Sequence, residues 1–376
     1  MDVDAAIAGA VARWFARNAR ELPWRVEWIG GEQVVVGKRG VRHHAERGGT
    51  QIQRLRRDPY LALVAEAMLQ QTQVSRVIEK YGEFVGRFPT VEALAAADEH
   101  EVLGLWTGLG YYRRARNLHA AAKMVVAEFG GSVPRGVEEL QKLPGVGRYT
   151  AGAIASIAHG ERAPIVDGNV ARVLLRVHGK GAASDDKSVR GWLWERADAM
   201  VQAADEPGVF NEGMMELGAT VCVPGTPRCG ECPLREMCVA RREGRELDIP
   251  RPKARTARKD VHCAVVVIRR GDGAMVVEQR GDDGMWAGMW QAPTIERADR
   301  PPTATEVGRA VGVTTKTLER TGTFEFLATH RRMVFDVYWV GVAEEYVPRR
   351  GEFRGRAAIA RLGMSSPQRR VVLEMQ

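Results

Sequence analysis

Apolar residues recur at helical spacing through most of the first 238 residues. The N-terminal stretch predicts an amphipathic helix that continues through Trp14 and Arg17. Asp58 and Pro59 then supply an N-cap and a first-turn proline for another helix. The apolar stripe of this helix consists of Leu61, Val64, Ala65, Met68 and Leu69. Since no β-rich interval appears between Pro59 and Leu217, the first domain is predicted to be mainly α-helical.

Proline and glycine mark the ends of these helices. Pro89-Thr90 opens one helix, and Gly108-Leu109-Gly110 separates two others. Within 140–175, the sequence Leu143-Pro144-Gly145-Val146-Gly147 predicts a tight hairpin before a helix that starts near Arg148. Asp167 precedes Gly168 and Asn169 at the predicted start of the next helix. This segment therefore combines a phosphate-sized turn with a single carboxylate.

The pattern changes to short strands in the last third of the chain. His262–Ile268 and Ala274–Val277 flank the turn Gly271-Asp272-Gly273, which predicts a β-hairpin. Further strand-like residues extend from Phe324 to Val342, with a short helix over Ala304–Val311. We expect a helical domain over 1–238, a small α+β domain over 261–376, and a linker at 239–260. The linker is basic, contains two prolines and lacks apolar periodicity.

The segment 26–57 differs in character from its surroundings. It contains seven basic and three acidic residues, several glycines and little periodicity. We expect a β-hairpin around Glu32–Lys38 and a flexible loop after it. The pattern favours a solvated insertion over a DNA-binding arm, although both interpretations stay open.

Composition narrows the class of protein. The chain has 376 residues, of which 45% are hydrophobic and 27% charged, and its net charge is +8 with a pI near 9.4. This size suits two domains, and the charge suits a polyanionic partner. No apolar run has the length of a membrane span, so no membrane association is expected. The N-terminus is acidic where a signal peptide is basic, so we expect a cytoplasmic protein.

Four of the five cysteines form a cluster with the spacing Cys222-x6-Cys229-x2-Cys232-x5-Cys238. Four thiolates within 222–238 indicate tetrahedral metal or cluster ligation in a reducing compartment rather than a disulfide framework. Spacing alone does not decide between structural zinc and an iron–sulfur cluster.

The candidate chemical residues also have ordinary structural interpretations. A Pro-Gly-x-Gly turn is commonly a simple helix connection, and Asp167 is suited to be a helix cap. Glu66, Gln70 and Gln73 share one helical face, which is typical of a solvated polar surface. What favours a functional interpretation is that the hairpin and Asp167 occur together on one segment.

Several motifs occur in the order found in one family. They are LPWR at 22–25, AEAMLQQTQV at 65–74, LWTGLGYYRRARNLH at 105–119, the hairpin, VDGNV at 166–170, FNEGMMELGATVC at 210–222 and the cysteine loop. On these motifs the chain resembles the MutY-type adenine DNA glycosylases of the endonuclease III superfamily. The resemblance runs from about Trp14 to the C-terminus, apart from the basic insertion. It implies a helix-hairpin-helix glycosylase domain with an iron–sulfur cluster loop, followed by a Nudix-like domain.

The resemblance implies distinct roles for two carboxyl groups. Glu66 is expected to protonate adenine at N7 as general acid, and Asp167 to stabilise the oxocarbenium-like sugar. Tyr149 and Asn169 match supporting positions. Trp24, Arg25 and Glu212 match positions that line the pocket for the extruded adenine. Endonuclease III has a nucleophilic lysine where this chain has Tyr149, so a monofunctional glycosylase is expected.

The same resemblance implies the DNA contacts and the cofactor. Gln71 and Tyr111 match residues that wedge into the duplex, with Thr72 and Leu109 near 8-oxoguanine. The backbone of Gly145, Val146 and Gly147 is expected to bind a DNA phosphate. One [4Fe–4S] cluster is implied at Cys222, Cys229, Cys232 and Cys238.

In the second domain, Met285–Pro293 resembles the characteristic turn of a Nudix-like domain. The acidic box of true pyrophosphatases is absent between Pro293 and Val313, so this domain is expected to bind rather than hydrolyse. The lesion-reading loop of the family aligns with Ala328-Thr329-His330. Thr329 keeps a hydroxyl, whereas Ala328 lacks the family's aromatic ring, so lesion discrimination is expected to be weaker or differently built.

These features predict a monomer that acts on double-stranded DNA with A:8-oxoguanine or A:G mispairs. Two alternatives stay open at this point. One is a related glycosylase for thymine or oxidised pyrimidines, and the other is a non-catalytic protein that binds damaged DNA.

Overall fold

In the computed structural model, the chain forms two compact units. The structure describes residues 2–25, 27–29, 32–34, 57–183, 186–251, 257–281, 283–328 and 330–375. The first unit contains 1–96 and 117–253, and the second contains 97–116 and 254–376. The segment 97–116, expected to belong to the helical domain, is therefore grouped with the C-terminal residues. No helix in the described ranges is long and apolar enough to span a membrane.

The first unit is built from helices, as predicted. They are α1 (Val3–Asn18), α2 (Pro59–Leu69), α3 (Val74–Arg87), α4 (Val91–Ala95), α6 (Arg113–Phe129), α7 (Val137–Leu140), α8 (Arg148–Ile157), α9 (Gly168–Val177), α10 (Lys187–Gln202), α11 (Pro207–Thr220) and α12 (Val239–Arg242), with α5 (Glu99–Leu105) in the second unit. Two strands, β1 (Glu27–Ile29) and β2 (Glu32–Val34), pair antiparallel near the start of the basic segment. This hairpin begins earlier than the expected Glu32–Lys38, and 35–56 lies outside the described residues.

Side-chain caps fix several of these helix starts. The Asp58 carboxylate accepts hydrogen bonds from the amides of Tyr60 and Leu61, with Pro59 in the first turn, as the sequence predicts. Thr90 and Asp167 cap α4 and α9 in the same way. These caps satisfy amides that have no partner within the helix.

The core of the first unit lies between α1, α9, α10 and α11. Its apolar residues include Val11, Leu174, Met200 and Leu217, which are buried. Gly213 permits close approach of α11 to α1, because a Cβ there would lie 2.7 Å from Val11 Cγ1. The start of α9 packs against the C-terminal end of α11, where a Cβ at Gly218 would lie 2.6 Å from Asn169 Cβ.

The segment predicted as a linker at 239–260 differs in the structure. Val239–Arg242 is helical, and Ala240 and Ile249 are fully buried in the first unit. The Ile249 carbonyl accepts a hydrogen bond from Arg176 Nε at 2.7 Å. The buried residues follow no regular period, so apolar periodicity did not indicate this packing.

The second unit contains a mixed β-sheet with the strand order β5-β4-β3-β8-β7, with β6 paired to β3 and β9 to β4. The strands are β3 (Lys259–Arg270), β4 (Met275–Gln279), β5 (Trp290–Gln291), β6 (Thr294–Arg297), β7 (Glu319–Leu327), β8 (Arg331–Val342) and β9 (Glu352–Arg354). The long strands β3 and β8 are parallel, and the other ladders are antiparallel. The predicted β3–β4 hairpin is confirmed by the pairing of Arg269 with Met275.

Apolar residues cover both faces of this sheet. One cluster includes Val265, Met333 and Phe335, and the other includes Val266 and Tyr338. Alternate residues of β3 thus point to opposite cores, as expected for a strand buried on both faces. The helices are α13 (Ala304–Val311), α14 (Arg356–Ala360) and α15 (Ser366–Arg369). The predicted α+β class and the helix over Ala304–Val311 are confirmed.

Candidate active site

Glu66 lies in α2, a helix that is buried on all sides from Tyr60 to Met68. The residue is 9% exposed, so its polar face is not a solvated surface. Burial raises the pKa of Glu66 from 4.5 to about 7, with further contributions from the charges of Asp167 and Glu212. A carboxyl group in this environment is protonated in a large fraction of molecules at neutral pH.

Tyr149 in α8 faces this carboxyl group. Its hydroxyl lies 2.9 Å from Met215 Sδ and also forms a hydrogen bond with Glu66, which lowers the pKa of Glu66. A carboxylate accepts more strongly than a thioether, so the phenol proton is directed to ionised Glu66. Burial, together with the nearby carboxylates, keeps the pKa of Tyr149 well above 10. Tyr149 therefore acts as a neutral donor.

Asp167 is the N-cap of α9 and receives two hydrogen bonds. The Val170 amide donates to Oδ1 at 2.7 Å, and Asn169 Nδ2 donates to Oδ2 at 2.9 Å. Burial raises the pKa of Asp167, whereas these two hydrogen bonds lower it. The amides at a helix start also favour negative charge. The cap predicted from sequence is present, and the same atoms orient the carboxylate.

Asn169 is itself held from two sides. Arg172 Nη2 donates to Asn169 Oδ1 at 2.8 Å and to the Gly218 carbonyl at 2.7 Å. Gly218 packs so tightly that a Cβ there would lie 2.6 Å from Asn169 Cβ. The position of Asp167 is thereby fixed by α11.

Two arginines bind Glu212 beside these groups. Arg25 Nε lies 3.2 Å from Glu212 Oε1, and Arg57 Nη2 lies 2.6 Å from the same oxygen. Trp24, 7% exposed, packs edge-on against Tyr81 with ring centroids 5.8 Å apart. The structure thus brings together six of the seven predicted catalytic and pocket residues: Glu66, Asp167, Tyr149, Asn169, Arg25 and Glu212. The seventh, Trp24, precedes Arg25 in the chain and packs against Tyr81.

Two further residues contribute to this site without having been predicted. Arg57 was assigned to the basic insertion, and Tyr81 to a generic helix. For Arg57, the one sequence signal of a role in the site is its position directly before the predicted helix start at Asp58-Pro59. A residue next to the start of a buried helix is rarely at the exposed end of a loop. Nothing in the local sequence singles out Tyr81.

The hairpin has the predicted geometry. Gly145 has φ +79°, and Gly147 is the N-cap of α8. A Cβ at Gly145 would lie 2.7 Å from Asn117 Cβ, so both conformation and packing require glycine. Val146 is 7% exposed, so its side chain anchors the turn.

The predicted wedge residues occupy unusual backbone conformations. Gln71 has φ +55° at the end of α2, with Thr72 next to it, and Tyr111 has φ +47° in the second unit. Tyr111 is 47% exposed, which suits a residue that enters DNA, whereas Leu109 is 4% exposed. Leu109 is therefore a core residue here, because it lies between the glycines that turn the chain inward.

Two of the expected lesion-reading residues, Ala328 and His330, lie between β7 and β8. The Ala328 amide donates to the Arg331 carbonyl at 2.9 Å, and the His330 carbonyl accepts from the Lys259 amide at 3.0 Å. His330 is exposed. Thr329 lies outside the described residues.

The cysteine loop surrounds one cavity of the first unit. Its lining includes Cys222, Cys229, Cys232 and Cys238 together with Arg176. Arg176 Nη1 lies 3.4 Å from Cys222 Sγ, and Cys238 Sγ lies 3.4 Å from the Arg176 carbonyl oxygen. Among the described residues, no three His, Cys, Asp or Glu side chains have the spacing to hold a single metal ion. The candidate metal ligands are therefore the four cysteine thiols that line this cavity.

Comparisons with known proteins agree with this architecture. The model of the HhH-GPD superfamily base excision DNA repair proteins matches 64–198, and the NUDIX domain model matches 264–374. An adenine DNA glycosylase of Homo sapiens is 35% identical over an alignment of 384 positions, which covers 89% of this chain and 66% of the human protein. The chain thus spans slightly less than two thirds of that relative.

A second relative and a solved structure extend the comparison. The adenine DNA glycosylase of Buchnera aphidicola subsp. Schizaphis graminum is 34% identical over 237 residues, covering 63% of this chain and 68% of that protein. The structure of a thermostable thymine-DNA glycosylase matches with a TM-score of 0.51 and 26% identity, covering 64% of this chain and 97% of that chain.

Proposed function

Because the chain belongs to the adenine DNA glycosylase family of the HhH-GPD superfamily, we propose that it is a monofunctional DNA glycosylase. Its substrate is adenine paired with 8-oxoguanine or guanine in double-stranded DNA, and its reaction is hydrolysis of the N-glycosidic bond. The names of the human and Buchnera relatives support adenine as the excised base.

The observation that carries this proposal is the contrast between two buried carboxyl groups. Glu66 has a pKa of about 7 because of burial, whereas Asp167 receives two hydrogen bonds from N–H donors that stabilise its charge. In the proposed reaction the proton is carried by Glu66 and the negative charge by Asp167. Glycosidic bond cleavage needs one acid and one anion.

The reaction begins with protonation of the leaving base. Glu66 donates its proton to N7 of adenine, which converts a poor leaving group into a neutral one. As the bond from N9 to C1′ breaks, the bonding electrons leave with the base and the sugar becomes oxocarbenium-like. The Asp167 carboxylate stabilises this cation until water adds at C1′ and loses a proton to the Glu66 carboxylate. Tyr149 and Asn169 orient the two carboxyl groups.

Tyr149 also determines the reaction class. A lysine at this position would supply an amine nucleophile for Schiff-base formation and strand cleavage. A phenol whose pKa lies well above 10 is neutral and forms no Schiff base. Base release without strand cleavage is therefore the expected product.

The base must leave the helix before this chemistry. Trp24 and the Arg25–Glu212 pair supply an aromatic face and hydrogen-bonding groups beside Glu66, which suits a purine. We propose that the amides of Gly145, Val146 and Gly147 bind the DNA backbone, with Gln71, Thr72 and Tyr111 contacting the opened duplex. The Nudix-like domain is proposed to read 8-oxoguanine through Thr329 and His330.

We further propose that the four loop cysteines hold one [4Fe–4S] cluster. Four thiols that line one cavity match the four thiolate ligands of such a cluster. The bound cluster would supply covalent cross-links between the ends of the loop. The cationic Arg176 in the lining suits its negative charge.

One assay tests the function. Purified protein is incubated with duplexes carrying A:8-oxoguanine, A:G, G:T or an oxidised pyrimidine, and abasic sites are then cleaved with alkali. We expect product from the two adenine duplexes and a loss of at least about 100-fold in Glu66→Gln. Product from G:T or the oxidised pyrimidine alone would identify the alternative glycosylase. The absence of product from every duplex would identify a non-catalytic binding protein.

A further inference from the structure

Arg57 is the residue that immediately precedes the N-cap of α2, and its guanidinium group turns into the active site. Nη2 lies 2.6 Å from Glu212 Oε1 and 2.7 Å from Oε2, so one nitrogen reaches both carboxylate oxygens. The Arg57 side chain is 17% exposed and that of Glu212 is 10% exposed. This ion pair is therefore largely shielded from water, unlike the exposed ion pairs of the same unit.

Arg25, the other partner of Glu212, is shared with a second carboxylate. Its Nη2 lies 3.0 Å from Glu216 Oε2, and its Nε lies 3.2 Å from Glu212 Oε1. Glu216 is also bound by Arg20 at 2.7 Å. The two glutamates of α11 are thus bound by arginines from other segments. Of the two ion pairs at Glu212, the one with Arg57 is the shorter.

Glu66 is surrounded by charged and titratable groups from several elements. Tyr149 faces it from α8, Asp167 from the start of α9, Glu212 from α11, and Arg57 from the segment before α2. Three carboxyl groups thus lie within electrostatic range of one another. Arg57 is the cation that acts on Glu66 and also binds Glu212.

Charge repulsion explains why a cation is needed at this position. Without Arg57, the charges of Asp167 and Glu212, which both raise the pKa of Glu66, would act on Glu66 without the opposing charge of Arg57. A carboxylate that is held by two arginines keeps one orientation. The adenine pocket then presents one fixed acceptor next to one proton donor.

We propose that Arg57 is a positioning residue for the glycosylase reaction, which holds the Glu212 side chain in the wall of the adenine pocket beside Glu66. This inference rests on the proposed function. It assigns a role in the active site to the last residue of a segment that the sequence indicates to be a solvated insertion.

The test compares full-length wild type, Arg57→Gln and Arg57→Lys in single-turnover adenine release from A:8-oxoguanine duplexes between pH 5 and 9. Arg135→Gln is the matched control, because Arg135 forms an exposed ion pair with Glu161. The expected result for Arg57→Gln is a rate about tenfold lower on the plateau. The alkaline limb of the pH–rate profile of this variant is expected to move to higher pH by about half a unit or more, because Arg57 lowers the pKa of Glu66. Arg57→Lys should restore the limb but only part of the rate.

A second measurement does not depend on activity. Thermal unfolding of Arg57→Gln, Glu212→Gln and the double variant should show non-additive changes in Tm, since either single change removes the same shielded ion pair between Arg57 and Glu212. Additive changes, or an Arg57→Gln profile that superimposes on that of Arg135→Gln, would overturn the inference. If Arg57→Gln does not fold, the pH–rate profile of Arg57→Lys is compared with that of Arg135→Gln instead, and superposition of these two profiles would overturn the inference. Inactive wild type would instead refute the proposed function, and the Tm cycle would still test the ion pair.

Discussion

Asn169 donates its side-chain amide to Asp167 Oδ2 over 2.9 Å, and this contact joins two residues of the same helix start. The Val170 amide binds the other oxygen, so the carboxylate has one fixed orientation. The hydrogen bond from Asn169 also lowers the pKa of Asp167 against the effect of burial.

We predict that Asn169→Ala slows adenine release by about 10- to 100-fold, since a hydrogen bond to a charged group contributes about 1.5–3 kcal/mol. The acid limb of the pH–rate profile should move to higher pH, because Asp167 then becomes protonated more easily. DNA affinity should stay within about twofold. Single-turnover rates and binding titrations measure both quantities, and an unchanged rate would contradict the assigned role.

The raised pKa of Glu66 predicts a pH-dependent stability. The pKa is about 7 in the folded state and 4.5 in the unfolded state, so the stability from this group is complete below pH 4.5 and is lost as the pH rises to 7. The loss amounts to about 3 kcal/mol at most. The glutamine in Glu66→Gln cannot ionise. The difference in Tm between this variant and wild type should therefore increase, in favour of the variant, from pH 5 to pH 8. The control is Glu128→Gln, an exposed carboxyl position, whose Tm difference should be constant.

Tyr149→Lys is predicted to add strand cleavage to base release. The new amine would lie in a buried site next to Glu66 and Asp167, where the phenol now lies. Borohydride trapping on an A:8-oxoguanine duplex should give a covalent protein–DNA adduct with this variant and none with Tyr149→Phe. Trapping of wild type to a similar extent would refute monofunctional chemistry.

Gly145→Ala is predicted to weaken DNA binding by about tenfold, which corresponds to about 1.4 kcal/mol. An alanine at this position would have to adopt φ +79°, which is unfavourable for a residue with a Cβ, and its Cβ would clash with Asn117. Relief of this clash would displace the amides of the hairpin. Gly160→Ala is the matched control, because Gly160 has φ +72° but no atom within 4 Å of an added Cβ. Equal losses of affinity in both variants would show general strain rather than a phosphate site.

Cys232→Ser is predicted to lose iron and its visible absorption, whereas Cys263→Ser should keep both. Cys232 lines the loop cavity, and Cys263 is buried in β3 of the second unit. Metal analysis of wild type, purified without oxygen, should give about four irons per chain. If metal analysis instead finds one zinc per chain, and Cys232→Ser loses it, the loop holds structural zinc and not an iron–sulfur cluster.

The sequence by itself determined the features that depend on local backbone chemistry. The cap at Asp58, the hairpin at Gly145 and the cap at Asp167 follow from a few neighbouring residues, and the structure contains all three. Strand periodicity likewise identified the β3–β4 hairpin. Local conformation is set by φ restrictions and hydrogen bonds between residues close in the chain, so such features can be predicted without a fold.

Only the tertiary structure decided which polar groups are buried together. Helical spacing placed Glu66 on a polar face, but packing of α2 in the first unit turned that face inward and raised the pKa of Glu66. Arg57 looked like part of a charged loop, yet it binds Glu212, 155 residues away. Burial and ion pairing depend on residues that are distant in sequence, and no periodicity records them. For the same reason, residues 239–251 looked like a linker although Arg176 binds the Ile249 carbonyl.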